Sequence, residues 1–192
     1  MLDPAWCAAV VTAAGASTRM GRPKALVPYA GLPLLSYQLA ALEGFGQRIV
    51  VLGAAEDAIR AALDLEGATL VSNPEWESGR SGSLRLGFGA VRAAARAVLV
   101  TAVDQPLDPE VVAALLGAFD PSAYAYAIPV VEGRRGHPLL VGAALLPALR
   151  SLGDAELLRD AIARYADAAL ALPVTSREAL LDLNRPEDLP SG

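Results

Sequence analysis

Short runs of small and β-branched apolar residues alternate along the chain with segments of helical periodicity. Trp6 to Ala14 is a continuous apolar run and predicts a strand buried on both faces. Pro33 then opens an apolar-periodic segment to about Phe45, which reads as a helix with proline in its first turn. Further strands are expected at Arg48–Gly53, Ala68–Ser72, Ala97–Val103, Tyr124–Val131 and Leu139–Val141. Helices are expected at Glu56–Leu63, Ser83–Ala94, Pro109–Phe119, Gly142–Arg150 and Asp154–Tyr165. Short strands at Ala169–Leu172 and Leu180–Leu183 complete the pattern.

Strands alternating with helices in this way predict βαβ units. The fold class is therefore α/β, a Rossmann-like three-layer sandwich with a mostly parallel central sheet. No repeat or linker interrupts the pattern, so residues 1–192 read as one domain. In such folds ligands bind beyond the carboxyl ends of the strands. The loops after the first strand, after Ala68–Ser72 and after Ala97–Val103 are thus the places to look for chemistry.

Composition narrows the function. The 192 residues are 54% hydrophobic with net charge −5, so disorder is excluded and a dedicated nucleic-acid partner is not expected. Apolar stretches are cut by Gly, Pro or charge at about ten residues, too short for a membrane span. The N-terminus has no basic segment ahead of its apolar run, so the expected location is the cytoplasm. One cysteine and one histidine cannot make a disulfide framework or a Cys/His zinc site, and Cys7 is expected in the core. Among sixteen basic residues only Lys24 is lysine. Where charge alone suffices this chain uses arginine, so a lone lysine marks a place suited to a compact ammonium.

Lys24 ends the loop Ala14-Gly15-Ala16-Ser17-Thr18-Arg19-Met20-Gly21-Arg22-Pro23-Lys24. Gly15 and Gly21 permit close backbone approach, successive N–H groups can cradle an anion, and Arg19 and Lys24 add charge suited to a polyphosphate. The loop has neither the ending of a Walker A motif nor the dinucleotide-binding spacing. Ala13 through Lys24 resembles the signature loop of the MobA-like nucleotidyltransferases, and is most similar to that of the molybdenum cofactor cytidylyltransferases. Thr12 departs from the aliphatic residue usual there. The resemblance implies a nucleotide-diphospho-sugar transferase-like fold, with Ala13, Ala14, Gly15, Ser17, Arg19, Gly21 and Lys24 around the nucleotide.

The remaining loops extend this resemblance. Asn73 to Gly87 is similar to the family's N-P-x-W-x-x-G-x-S-x-S-L-R-x-G segment; Ser81 and Ser83 can match the edge of a base, or start a helix without any ligand. Arg80 stands where relatives using CTP often carry methionine, and an arginine there also resembles cytidylyltransferases acting on sugar alcohols. Asp104 leaves a buried strand at the ligand edge, well placed to hold Mg²⁺, and Asp104-Gln105-Pro106 resembles the cytidylyltransferase subgroup. The ending from Asp182 to Leu189 is similar to the family's D-x-[DN]-x-P-E-D-L, which implies a second metal ligand at Asn184 or Asp182. Strand alternation would turn both to the same side. Gly133 to Pro138 resembles the family's G-R-R-G-H-P turn, which implies that Arg134, Arg135 and His137 face the acceptor.

The implied function is Mg²⁺-dependent transfer of CMP from CTP to the phosphate of molybdenum-molybdopterin, with Lys24, Arg19 and Asp104 as the catalytic set. The alternatives are GTP on the same cofactor, CMP transfer to a sugar-like alcohol, and a non-catalytic cofactor carrier or chaperone. The product's recipient would be a molybdoenzyme or its chaperone.

Overall fold

The structure is a computed structural model, and it describes residues 1–190. The chain runs β1 (Cys7–Ala13), a short hairpin β2 (Pro28–Tyr29) and β3 (Leu32–Pro33), α1 (Leu34–Ala41), β4 (Gln47–Leu52), α2 (Glu56–Ala62) and β5 (Ala68–Ser72). It continues with α3 (Arg80–Gly89), β6 (Ala97–Ala102), α4 (Pro109–Ala118), β7 (Tyr126–Val131), β8 (Arg134–Arg135) and β9 (Leu139–Gly142). The last elements are α5 (Leu146–Arg150), α6 (Leu158–Ala163) and β10 (Ala169–Pro173). The central sheet has the order β10-β7-β9-β6-β1-β4-β5, with β8 paired to β7. Only β9 and β8 run against the common direction. This confirms the expected mostly parallel α/β sandwich.

The layers follow from alternation along β1. Cys7, Ala9, Val11 and Ala13 face the layer built from α1, α2 and α4, whereas Ala8 and Val10 face α3, α5 and α6. Cys7 is buried as expected, and burial together with the nearby Asp3 charge pushes its thiol up to about 11. Small residues on β1 let helices approach closely. A Cβ on Gly87 of α3 would stand 2.5 Å from Val10 Cγ1 and 3.2 Å from Val51 Cγ2. Both valines are buried and stiff at χ1, so they cannot yield. Gly87→Ala therefore costs about 1–3 kcal/mol of stability through overpacking. A lowered denaturant midpoint checks this; an unchanged midpoint would show that α3 does not rest on β1.

Topology places the site. From β1 the chain crosses to β4 on one side, and from β5 it returns to β6 on the other, so the strand order reverses between β1 and its neighbours. Thr12 pairs with Ala102 at the carboxyl ends of β1 and β6. The loops bearing Lys24 and Asp104 thus leave the sheet side by side. Among the described residues, no helix is long and apolar enough to cross a membrane.

Several expectations change. The β2–β3 hairpin precedes α1, and α3 begins at Arg80 rather than Ser83. Leu180–Leu183 is not a strand: Arg177–Leu180 forms a 3-10 helix and the chain then runs on without a sheet partner. With no ladder to impose a pleat, the alternation argument for Asp182 and Asn184 loses its basis.

Candidate active site

The first loop is closed by its own side chains. Ser17 has positive φ (55°), and its Oγ accepts from the Lys24 backbone N–H at 3.0 Å. Met20 N–H donates to the Ser17 carbonyl at 3.0 Å, and Gly21, at φ 74°, takes a conformation that a Cβ would strain. Lys24 is thereby held at the loop's end with its side chain directed across the sheet edge.

Its ammonium meets two partners. Lys24 Nζ donates to Asp104 Oδ2 at 2.7 Å and to Asn184 Oδ1 at 2.9 Å. The ion pair is nearly dry, its side chains 11% and 6% exposed. Arg19 Nη2 donates to the same Asn184 Oδ1 at 2.9 Å. Arg80, from the start of α3, approaches Asp104 Oδ2 at 3.6 Å and is 76% exposed. Asp104 Oδ1 is buried without a partner. A buried carboxylate oxygen with spare lone pairs is suited to a divalent cation, which in magnesium sites takes only one or two carboxylates beside phosphates and water. Asp104 and Asn184, both oxygen donors at this edge, fit that group.

The turn carrying Asp104 is pinned by a residue that sequence reading missed. Gln38 on α1 is fully buried, and its Nε2 donates to the carbonyls of Ala102, at 2.9 Å, and Gln105, at 2.6 Å. A lone glutamine between Leu34, Leu35 and Leu39 on an apolar helix was the available signal, since buried polar groups are there to bond something. Gln105 Oε1 in turn accepts from Ala102 N–H at 3.2 Å.

The C-terminal segment separates Asn184 from Asp182. Leu183 N–H donates to the Asp104 carbonyl at 2.8 Å, which brings Asn184 to Lys24. Asp182 instead accepts from Gln105 Nε2 at 3.0 Å and stays exposed. Asp188 accepts the backbone N–H groups of Asn184 and Arg185 at 2.7 and 2.8 Å. Ahead of this segment, Tyr29 and Tyr37 both donate to Glu178 Oε1 and hold the 3-10 helix. Burial first, then the Glu178 charge, pushes the Tyr37 hydroxyl up to about 12.

Two cavities meet here. The first, about 250 Å³, is lined by Gly15, Ser17, Arg19, Lys24, Ser83 and Asp104 among others. Ala14 also lines it, whereas Ala13 is buried below it. The second, about 420 Å³, shares Thr12, Arg80 and Ala102 with the first, and is walled by Leu84, Ile128, Leu139, Leu158 and Ile162. The two serines part company. Ser83 faces the first cavity, its Oγ accepting from Asn73 Nδ2 at 2.9 Å. Ser81 faces the second, its hydroxyl already donated to the Glu156 carbonyl at 2.5 Å. Neither caps α3, whose N-cap is Gly79.

His137 lines the second cavity, but Arg134 and Arg135 line neither; they stand exposed on β8. A two-residue hairpin strand turns both outward, so the expected arginine pair is not gathered with the site. His137 Nε2 lies 2.7 Å from the Leu181 carbonyl and must donate to it, leaving Nδ1 buried and unpartnered. Burial lowers its pKa below the ordinary 6.5, outweighing the Leu181 bond and the Asp182, Asp104 and Glu178 charges. Below that value the unfolded chain takes up a proton that the folded chain resists, so stability falls as pH drops from about 6.5 and is flat above it. His137→Gln keeps a donor and removes this slope. Unfolding free energies across that range check it, and identical slopes in both proteins would contradict it.

A phosphate-suited loop, a buried carboxylate and an amide gathered at the switch point of a three-layer α/β sheet fit the nucleotidyltransferase class of enzymes. Within that class, the chain belongs to the MobA-like NTP transferase domain family, whose profile matches residues 9–169. Two curated relatives carry different names. The molybdenum cofactor guanylyltransferase of Rhodobacter capsulatus is 34% identical over 187 residues, covering 95% of this chain and 92% of that one. The nicotine blue oxidoreductase of Paenarthrobacter nicotinovorans is 38% identical over 157 residues, 76% of each chain. Among solved structures, Rv0371c from Mycobacterium tuberculosis H37Rv superposes with TM-score 0.82 at 26% identity, over 95% of this chain and 94% of that one. A complex of Rv0371c with manganese gives TM-score 0.79 at 25% identity, over 95% and 94%.

Proposed function

We propose that this enzyme transfers CMP from CTP to the terminal phosphate of molybdenum-bearing molybdopterin. The observation that carries the reading is the Lys24–Asp104 pair lining the first cavity, with Asn184 bonded to Lys24, beside a second cavity of about 420 Å³ that shares Thr12, Arg80 and Ala102 with it. The near full-length likeness to a molybdenum cofactor guanylyltransferase supports the acceptor. Asp104-Gln105-Pro106, similar to the cytidylyltransferase subgroup, supports CTP over GTP.

In this mechanism an acceptor phosphate oxygen forms a bond to the α-phosphorus, and the bond from that phosphorus to the β-phosphate oxygen breaks. Pyrophosphate leaves with the electron pair. A phosphate monoester is already ionised near neutral pH, so no side chain need act as general base. Asp104 and Asn184 would hold Mg²⁺, which supplies charge neutralisation on the phosphates when bound. Lys24 and Arg19 stabilise charge on the α-phosphate and the departing pyrophosphate. The backbone of residues 14–17 positions the chain of phosphates, and Ser83 contributes a hydroxyl toward the base. Ser81, already tied to Glu156, shapes the acceptor wall instead. Arg80, exposed and bordering both cavities, receives the acceptor's phosphate. His137 contributes by fixing the segment before Asn184 through Leu181. The whole chain acts as one domain in this account, with no nucleic-acid or membrane partner.

Isothermal titration with CTP and GTP in the presence of Mg²⁺ tests the base. Tighter binding of CTP is expected, and tighter binding of GTP would overturn the cytidylyl assignment. Loss of both, with oxidation or reduction of a substrate instead, would favour the oxidoreductase reading that the name of the 38% identical relative suggests.

A further inference from the structure

We propose that Lys24 serves as the resident cation of the ligand-free site, and leaves Asp104 only when a divalent ion and a nucleoside triphosphate enter together. The inference rests on reading Asp104 and Asn184 as the metal-holding pair: the Lys24 ammonium occupies Asp104 Oδ2 at 2.7 Å and Asn184 Oδ1 at 2.9 Å, while Asp104 Oδ1 is buried without a partner. An ammonium has three donors, and two are spent here.

Charge counting forbids piecemeal exchange. The first cavity's lining contains one carboxylate, Asp104, and three cations, Arg19, Lys24 and Arg80. A divalent ion arriving alone gains that single carboxylate, already neutralised, and faces three positive groups in a poorly solvated place. A triphosphate arriving alone is attracted by Arg19 and Arg80, but drawing the ammonium to itself would leave the buried carboxylate of Asp104 without its close cation. With both present, Asp104 and Asn184 would hold the ion, and the ammonium would move onto the phosphates. Every charge then has a partner. The movement is confined to the side chain, because the Lys24 backbone N–H is fixed to Ser17 Oγ at 3.0 Å. A flexible four-carbon stem with a point charge can make this transfer, whereas a planar guanidinium cannot repeat the same contacts. This gives the chain's only lysine a reason beyond charge.

Linkage then requires that nucleotide tighten metal binding and metal tighten nucleotide binding by the same factor. Because Lys24 is the single lysine, ¹⁵Nζ-lysine labelling of the native protein yields one lysine side-chain resonance. Mg²⁺ alone and CTP alone should leave it in place, and the two together should move it. In parallel, Mn²⁺ binding followed by electron paramagnetic resonance should tighten about tenfold or more when CTP is present. Lys24→Gln should bind Mn²⁺ alone about tenfold more tightly than the native protein, with the nucleotide's effect abolished. A shift of the resonance with either ligand alone, or equal Mn²⁺ affinity in both proteins, overturns the proposal. Repeating the titration with GTP keeps the two readings apart. A joint shift with GTP but not CTP rejects the base assignment and retains the Lys24 exchange, whereas no joint shift with any triphosphate rejects the exchange.

Discussion

Lys24→Ala lowers kcat/KM for nucleotidyl transfer by about 10²- to 10³-fold, the cost of removing one charge aimed at the developing pyrophosphate in a poorly solvated site. The loss falls mainly on kcat, because charge on the bridging oxygen grows in the transition state and is small in bound CTP. Stability falls as well. Asp104 is almost fully buried, and without the ammonium the one ion pair left to it among the described residues is with Arg80, which stands at 3.6 Å and is largely exposed. Breaking one partner of such a pair costs about 3 kcal/mol. Rate assays below the variant's melting transition separate the two effects. A variant that stays folded and retains full kcat would remove Lys24 from the chemistry.

Asp104→Asn is expected to be at least as damaging, about 10³-fold in kcat/KM, with Mn²⁺ binding lost in the presence of nucleotide. The amide preserves shape, so Gln38 still holds the carbonyls on either side of the turn and Leu183 still bonds the residue 104 carbonyl. What disappears is the negative charge that both Lys24 and the metal require. The two residues act as a unit, so the double variant Lys24→Ala/Asp104→Asn should be no worse than the poorer single variant by more than about tenfold. Multiplying losses would show that they act separately. Retention of more than about a tenth of native activity in Asp104→Asn would assign the metal to other residues.

The parts of this site legible in sequence were those set by local pattern. A buried apolar strand followed by glycines, Arg19 and a lone lysine announces a ligand loop, and Asp104 at the end of β6 announces an acid at the same edge. Topology then brings them together, since β1 and β6 are paired neighbours. Choices made by tertiary contacts were not legible. Asp182 and Asn184 look equivalent along an assumed strand, yet the segment has no sheet partner, and single hydrogen bonds to Gln105 and Lys24 divide them. Ser81 and Ser83 open α3 within one turn, but the helix start lies between two cavities, so neighbouring hydroxyls reach different walls. Arg134 and Arg135 carried the right charge for an anionic acceptor, and a two-residue hairpin strand turned them to solvent. Gln38 on α1 escaped sequence reading; its role became visible only with the Ala102 and Gln105 carbonyls that it bonds.

The central claim is nucleotidyl transfer, and pyrophosphate release measures it most directly. The native enzyme mixed with CTP, Mg²⁺ and molybdenum-bearing molybdopterin should release one pyrophosphate for each cytidine dinucleotide formed, and none when the acceptor is omitted. Absence of pyrophosphate with every nucleoside triphosphate, from a folded protein supplied with metal and acceptor, would contradict it.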